Sequence, residues 1–406
     1  MDGLPKDNVT HEIIQNIERS LQSAKQPSIT YLIGNNGTGK SRLLALVCDI
    51  YEQQYSSPVK SVLCISSSMS DRFISTDGKR RKYLGVRTVG NAIFLSAIDR
   101  QVAQYLTLGI KPGKRQFIQT VENAVGVNFR LEFNSRFSTM TPTKLDDAVD
   151  KRKIKNISVS QLISPEGRAW LAKIIREGID INKITIKNAK FLKVYLDLNP
   201  DVSLIVRSTH GRLPFHELSS GEQNRIGLAL KIISYAEDNS LILIDEPEIS
   251  LHLKWQMEFH AFLKEIMSAY KSYHVVIATH SPVIVSEAAK DRGTNTILVL
   301  REMNNKLKTS REQLDSISFT TATTDDIDSC EGLTLDFFDI ATYNTAMVDF
   351  RIAEAVLDAT DPAKEVEPEV RRLTALLGKE GMDPEKKRTI RKAISLIKKH
   401  LGEIPA

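Results

Sequence analysis

Residues 31–47 read YLIGNNGTGKSRLLALV, and within them GNNGTGKS, Gly34 to Ser41, fits the pattern GxxxxGK[ST]. The setting gives the pattern its weight: the apolar run SITYLI precedes it as a buried strand would, and a helical stretch follows. Gly34, Gly37 and Gly39 let the backbone turn around a β-phosphate, with Asn35, Asn36 and Thr38 between them. Amide groups there point inward at a helix N-terminus, where partial positive charge favours an anion. Lys40 is then placed to reach the β- and γ-phosphates of a nucleotide, and Ser41 to ligate Mg²⁺.

Working outward, three short apolar runs follow in the second half: LILIDE (241–246), HVVIAT (274–279) and TILVLR (296–301). Continuous apolarity over so few residues predicts strands covered on both faces, and VKSVLCIS (59–66) adds another. Helical segments separate them, so the expected core is α/β with a mainly parallel sheet. The first of the three ends in DEPE, which places Asp245 to hold the magnesium ion through water and Glu246 to polarise an attacking water. Two adjacent carboxylates at a strand end need a cation or a buried proton to relieve them. ATHSP (278–282) ends the next strand, and His280 there suits a donor to the transferring γ-phosphoryl group.

A second phosphate-binding signal, LSSGEQ (218–223), opens a helical stretch far from the first, with Ser219, Ser220 and Gly221 at its N-terminus. One nucleotide is not easily gripped by both helices of one subunit.

The chain has 406 residues, enough for one large or two medium domains, and 41% hydrophobic with 26% charged residues is the composition of a soluble globular protein. No apolar run approaches the roughly 18–20 residues of a membrane span. Met1 is followed by Asp2 and Pro5, not by the basic-then-apolar order of a secretory signal, which points to the cytoplasm. Cys48, Cys64 and Cys330 form no CxxC pair, so neither a disulfide framework nor a zinc site is expected. The formal net charge of +5 permits contact with nucleic acid without demanding it. The chain divides into an ATPase lobe with the phosphate loop (1–95), a mainly helical insertion (96–199), a second lobe (200–305) and a C-terminal partner or assembly region (306–406). In the first, Thr10 is a plausible N-cap for THEIIQNIERSLQ.

In this order, phosphate loop, LSSGEQ, acidic strand and histidine resemble the ABC-type ATPases, over residues 28–68 and 210–302. The likeness is to their soluble branch, which includes SMC, RecF and overcoming-lysogenization-defect proteins. It implies that LSSGEQ is a signature sequence whose Ser219, Ser220, Gly221 and Glu222 face ATP bound to the opposite subunit, so that two subunits sandwich two nucleotides head to tail. EISLHLKWQ (248–256) looks like the loop along that interface, with Ser250 and His252 in it. Three features depart from the family: a helix stands where antiparallel strands usually help hold adenine, no secure Q-loop glutamine is found near SSSMSDRF (66–73), and Gln101 lies too far along. The insertion lacks the sustained heptads of long coiled-coil arms. DRF, YLGVR, DEPEISLHLKWQ and ATHSPVIV look most like ATPases of bacterial anti-phage systems, above all the Septu ATPases (PtuA), which act with a separate HNH-type nuclease.

Three other features compete for function. KRRK (79–82) and KRKIK (151–155) could track a nucleic-acid backbone, although solvated loops explain such short runs more often. The closing helix carries Ile390, Ile394, Ile397 and Leu401 as one stripe amid basic residues, begins well at Asp383–Pro384, and either packs on its own domain or docks to a partner. Glu302 with Asp326 and Asp328 could imitate a TOPRIM metal site, yet SFTTATTDD reads as a poor buried strand and the sheet signal ends near Lys306. The sequence therefore predicts an ATP- and Mg-dependent ATPase that forms a head-to-tail dimer or a higher oligomer. It is expected to regulate an HNH-type nuclease in phage defence, reaching DNA through that complex and needing no membrane. The alternatives are a DNA-repair or chromosome-associated ATPase that binds DNA itself, and a nuclease with its own TOPRIM site.

Overall fold

The computed structural model describes residues 9–22, 27–35, 37–53, 57–68, 70–85, 95–111, 115–133, 153–154, 157–158, 163–197, 202–209, 211–249, 251–291, 295–301, 317–322, 327, 333, 346–360, 366–378, 382 and 384–403. Its centre is a seven-stranded sheet of β1 (Ser28–Ile33), β2 (Ser61–Ser66), β3 (Arg81–Tyr83), β10 (Ser240–Asp245), β11 (Tyr273–Thr279), β12 (Thr296–Arg301) and β13 (Ser318–Ala322), in the order β13-β12-β1-β11-β10-β2-β3. All neighbours are parallel except β12 and β13. The α/β class with a mainly parallel sheet is thus the fold observed.

Alternation along the strands explains their unbroken apolarity. Leu32, Leu241, Leu243, Val276 and Leu298 face one side, where they pack with Leu43, Leu44 and Val47 of α2 (Lys40–Gln53) and with Ile13 and Ile17 of α1 (Val9–Gln22). Tyr31, Ile33, Ile242, Ile244, Val275, Ile277 and Val299 face the other, against α7 (Ser220–Tyr235), α8 (Leu253–Met267) and α9 (Pro282–Lys290). Each fully buried side chain of this kind contributes roughly 1.5–3 kcal/mol. Thr10 lies inside α1, 1% exposed, so it is not the cap expected. Cys48 and Cys64 are buried free thiols between α2 and β2, and Cys330 lies outside the described residues.

Two strands of this sheet were not expected. β13 is an edge strand with four of its five residues exposed or half-buried, so the sheet extends past Lys306. β3 runs through the basic run 79–82: Arg81 is buried beside Asp49, Lys82 pairs with Asp77, and the amides of Lys79, Arg80 and Arg81 donate to the Glu52 carboxylate. Arg81 and Lys82 are thus engaged in the fold, and KRRK is in part a strand rather than a solvated loop.

Between 96 and 199 lie α3 (Leu95–Gly109), α4 (Arg115–Val125), α5 (Pro165–Glu177) and α6 (Ile186–Leu196). Ser164 caps α5, its hydroxyl accepting from the Gly167 amide, with Pro165 in the first turn. Strands β4 (Asn128–Phe133) and β7 (Ile179–Asp180) join β8 (Val202–Ser208) and β9 (Gly211–Pro214) in an antiparallel sheet, β7-β4-β8-β9. The 199/200 division therefore falls within one sheet. β5 (Lys153–Ile154) and β6 (Ile157–Ser158) form a separate pair inside the KRKIK neighbourhood. At the C-terminus α10 (Ala346–Thr360), α11 (Val366–Leu377) and α12 (Pro384–Glu403) share their own core, with Ile390 and Ile397 buried in it and Ile394 packed against it. The α12 stripe thus covers its own bundle, while Asp383 lies outside the described residues. Among the described residues no helix is long and apolar enough to cross a membrane.

Candidate functional site

The phosphate loop runs from the end of β1 into α2 because its glycines permit what other residues resist. Gly37 and Gly39 have φ of 88° and 91°, and a Cβ on Gly34 would stand 2.5 Å from the Leu300 carbonyl oxygen on β12. Thr38 braces the loop, its hydroxyl donating to the Asn35 carbonyl at 2.9 Å. Asn36 lies outside the described residues. Lys40, 4% exposed, donates to the carbonyls of Gly34 (2.6 Å) and Asn35 (3.0 Å), and its Nζ is 3.1 Å from His280 Nδ1. Burial pulls its amine down to about 8, while Glu248, Glu246 and Asp245 pull the other way.

β10 and β11, adjacent and in register, bring the acids and the histidine to the same sheet end. Ser41 Oγ donates to Asp245 Oδ1 at 2.9 Å. Burial lifts Asp245 to about 7 against that bond, and the charges of Glu246, Asp71 and Glu248 add to the rise. A crowd of hard oxygen ligands short of positive charge fits Mg²⁺, with Ser41 and Asp245 as the natural pair. Among the described residues no group of three or more His, Cys, Asp or Glu forms a metal cluster. So few protein groups, Ser41 directly and Asp245 through water, are ordinary for magnesium, which keeps its waters and takes phosphate oxygens.

Glu246 occupies the left-handed region at φ 50°, a strained conformation for a non-glycine residue, pinned by its amide donating to the Ala278 carbonyl at 2.9 Å. Its carboxylate lies 3.2 Å from His280 Nε2. The lysine ammonium can only donate to Nδ1, so the proton of neutral His280 sits on Nε2 and points at Glu246.

Three residues were not singled out from sequence. Glu248 accepts from the His280 amide at 2.5 Å and the Thr279 hydroxyl at 2.8 Å, which fixes the end of β11. Ser70 and Arg72 line the phosphate cleft, of about 640 Å³ with its mouth, together with Gly37, Gly39, Lys40, Ser41, Arg42, Glu246 and His280. They belong to SSSMSDRF, the stretch after β2 that lacks a Q-loop glutamine, and DRF is the motif that marks Arg72.

Ser219, Ser220, Gly221 and Glu222 stand apart, lining no part of that cleft. They open α7 with a capping box: Ser219 Oγ accepts from the Glu222 amide at 3.3 Å, and the Ser219 amide donates to Glu222 Oε2 at 3.0 Å. His252 is the exposed N-cap residue of α8. Ser250, Glu302, Asp326 and Asp328 lie outside the described residues.

Residues 98–286, just under half of the chain, match the family described as "AAA domain, putative AbiEii toxin, Type IV TA system". The chain is similar to Protein ea59 of Escherichia phage lambda, 25% identical over 191 residues, 46% of this chain and 32% of that protein. It is similar also to the Retron Vc95 probable ATPase of Vibrio cholerae serotype O1 biovar El Tor, 24% identical over 180 residues, 39% of this chain and 32% of that protein. The matched regions thus span about a third of the length of these relatives. On a P-loop α/β fold, these likenesses support a generic ABC/AAA-type ATPase.

Proposed function

We propose that this chain binds and hydrolyses ATP with Mg²⁺ as the regulatory subunit of a phage-defence complex. In this reading two copies close head to tail around nucleotide and so control a separate HNH-type nuclease. The observation that carries the ATPase part is the chain of contacts Lys40–His280–Glu246 beside Ser41–Asp245, at the end of the phosphate loop. Bound magnesium would neutralise phosphate charge at Ser41 and Asp245, the latter through water. Lys40 exchanges its loop carbonyls for β- and γ-phosphate oxygens. Glu246 takes the proton of the water whose oxygen attacks the γ-phosphorus as the bond to the ADP oxygen breaks. His280, already holding its Nε2 proton, donates to the transferring group.

The defence role is supported by the likeness to a retron ATPase and by the residue-level resemblance to Septu ATPases. The trans arrangement is supported by the absence of Ser219–Glu222 from the lining of the cleft, which leaves Ser219 and Gly221 to serve another copy's nucleotide. The test is Glu246→Gln, purified with its genomic neighbours. Loss of a positioned base slows hydrolysis on the order of 10² or more while leaving ATP bound, so the variant accumulates as an ATP-dependent dimer carrying the nuclease. Wild-type turnover would overturn the base assignment. A particle mass unchanged by ATP would overturn the assembly, and DNA bound without any nuclease partner would favour a DNA-binding repair ATPase.

A further inference from the structure

Between α7 and α8, at the ends of β2 and β10, lies a second, narrow cavity with a lining distinct from that of the phosphate cleft. Its walls are apolar: Leu228, Ile244, Phe259 and Phe262, with Trp255 beside them. Gly227 opens it. This glycine sits inside α7, does not have positive φ, and a Cβ there would meet nothing within 4 Å. Neither backbone conformation nor close packing accounts for it, although glycine inside a helix costs about 0.5–1 kcal/mol relative to alanine. What it leaves is room on the cavity side.

The charges are unevenly matched. Arg225 lies over the rings of Trp255 (3.7 Å) and Phe262 (4.5 Å), donates to the Ala124 carbonyl, and offsets Glu258 at 3.5 Å. Its Nε is buried without a partner among the described residues. Lys231 also lines the cavity and has no hydrogen bond or ion pair among the described residues. The residue is half-buried, yet its amine is desolvated and pulled down to about 8, with no carboxylate opposing the shift. Among the charged residues lining the cavity, Arg225, Lys231 and Glu258, one positive charge is left over beside apolar walls, where an entering anion would meet it. A dianionic phosphate would bring one charge too many.

We propose that this cavity binds a small amphipathic monoanion, a carboxylate on a narrow alkyl body, with the carboxylate at Lys231 and the body against Trp255, Phe259 and Phe262. The same walls include α7, which begins with Ser219–Glu222, and Pro247 and Leu251 from the loop after Glu246. An occupant would touch the elements that carry the ATPase residues. Binding itself does not rest on the ATPase reading and is measured without nucleotide, so either can fail alone.

The test is calorimetric titration of the full chain with octanoate and with neutral 1-octanol. Octanoate binds at one site per chain, and 1-octanol about tenfold more weakly, the size of a charge-assisted contact. Lys231→Met abolishes that preference, and Gly227→Leu fills the space and removes both affinities. The proposal is overturned if octanoate shows no saturable binding, if the two ligands bind equally to the wild type, or if Gly227→Leu, melting like the wild type, still binds octanoate. Should Gly227→Leu fail to fold, Lys231→Met decides: an undiminished preference for octanoate overturns the assignment.

Discussion

Lys40 is held by two carbonyls and one imidazole nitrogen, all neutral acceptors, and a phosphate group competes with them through full negative charge. Lys40→Ala is expected to reduce ATP affinity at least a hundredfold in a protein that still melts cooperatively, measured by titration with a fluorescent ATP analogue. Unchanged affinity would remove the phosphate loop from the site. Arg72 enters the cleft from the β2 side and offers a charge-assisted contact worth about 1.5–3 kcal/mol. Arg72→Ala is accordingly expected to weaken ATP binding by roughly ten- to a hundredfold, less than Lys40→Ala, and equal affinity in wild type and variant would make Arg72 a bystander. The two residues differ in how they can be read. Lys40 is given by its neighbours in the chain, since loop, glycines and following helix are all local. Arg72 and Glu248 have roles that exist only because β2, β10 and β11 end side by side.

At the level of elements, the junction of α1, β1 and β11 is closed by a histidine. His274, fully buried on β11, contacts the hydroxyls of Ser20 (2.9 Å) and Ser28 (3.0 Å) through Nδ1 and that of Thr30 (3.1 Å) through Nε2. Burial holds its pKa down at about 3. The unfolded chain takes up the proton near the ordinary value of about 6.5, and the folded chain takes it up only near 3. Stability linked to His274 is therefore full above the unfolded pKa and falls as pH drops through that window. Melting temperature from pH 7 to pH 4 should decline less steeply in His274→Asn than in the wild type, and parallel curves would show that His274 does not set the acid slope. Which elements were legible follows from burial. β1, β2, β10, β11 and β12 lie inside a doubly covered sheet and read as apolar runs. β3, β9 and β13 are short or exposed, so their sequences carry little of that signal. β8, longer and better buried, was missed because its partners β4 and β9 are themselves inconspicuous.

For the whole molecule, the capping box at Ser219 leaves two duties for one residue: it starts α7 in the single chain, and in the proposed assembly it faces a second copy's nucleotide. Mixing separates them. Ser219→Arg is expected to bind ATP yet not hydrolyse it, and Lys40→Ala to fail at binding. A mixed dimer pairs one intact phosphate loop with one intact signature and gathers both lesions at the other site, so the mixture should regain part of the ATPase activity in a turnover assay. Mixed dimers confirmed by mass but inactive would count against the trans arrangement, and full activity from Ser219→Arg alone would reduce Ser219 to a helix cap. By itself the sequence determined the α/β class, the phosphate loop and the acidic strand, because each is a local pattern written in consecutive residues: apolar runs of strand length, glycines at a turn, and charge at a strand end. Tertiary structure alone decided that His280 bridges Lys40 and Glu246, that Arg72 reaches the cleft, that β4 and β7 share a sheet with β8 and β9 of the segment before α7, and that Gly227 and Lys231 open a second cavity. Those contacts join residues far apart in the chain, and only the register of strands and the packing of helices brings them within reach.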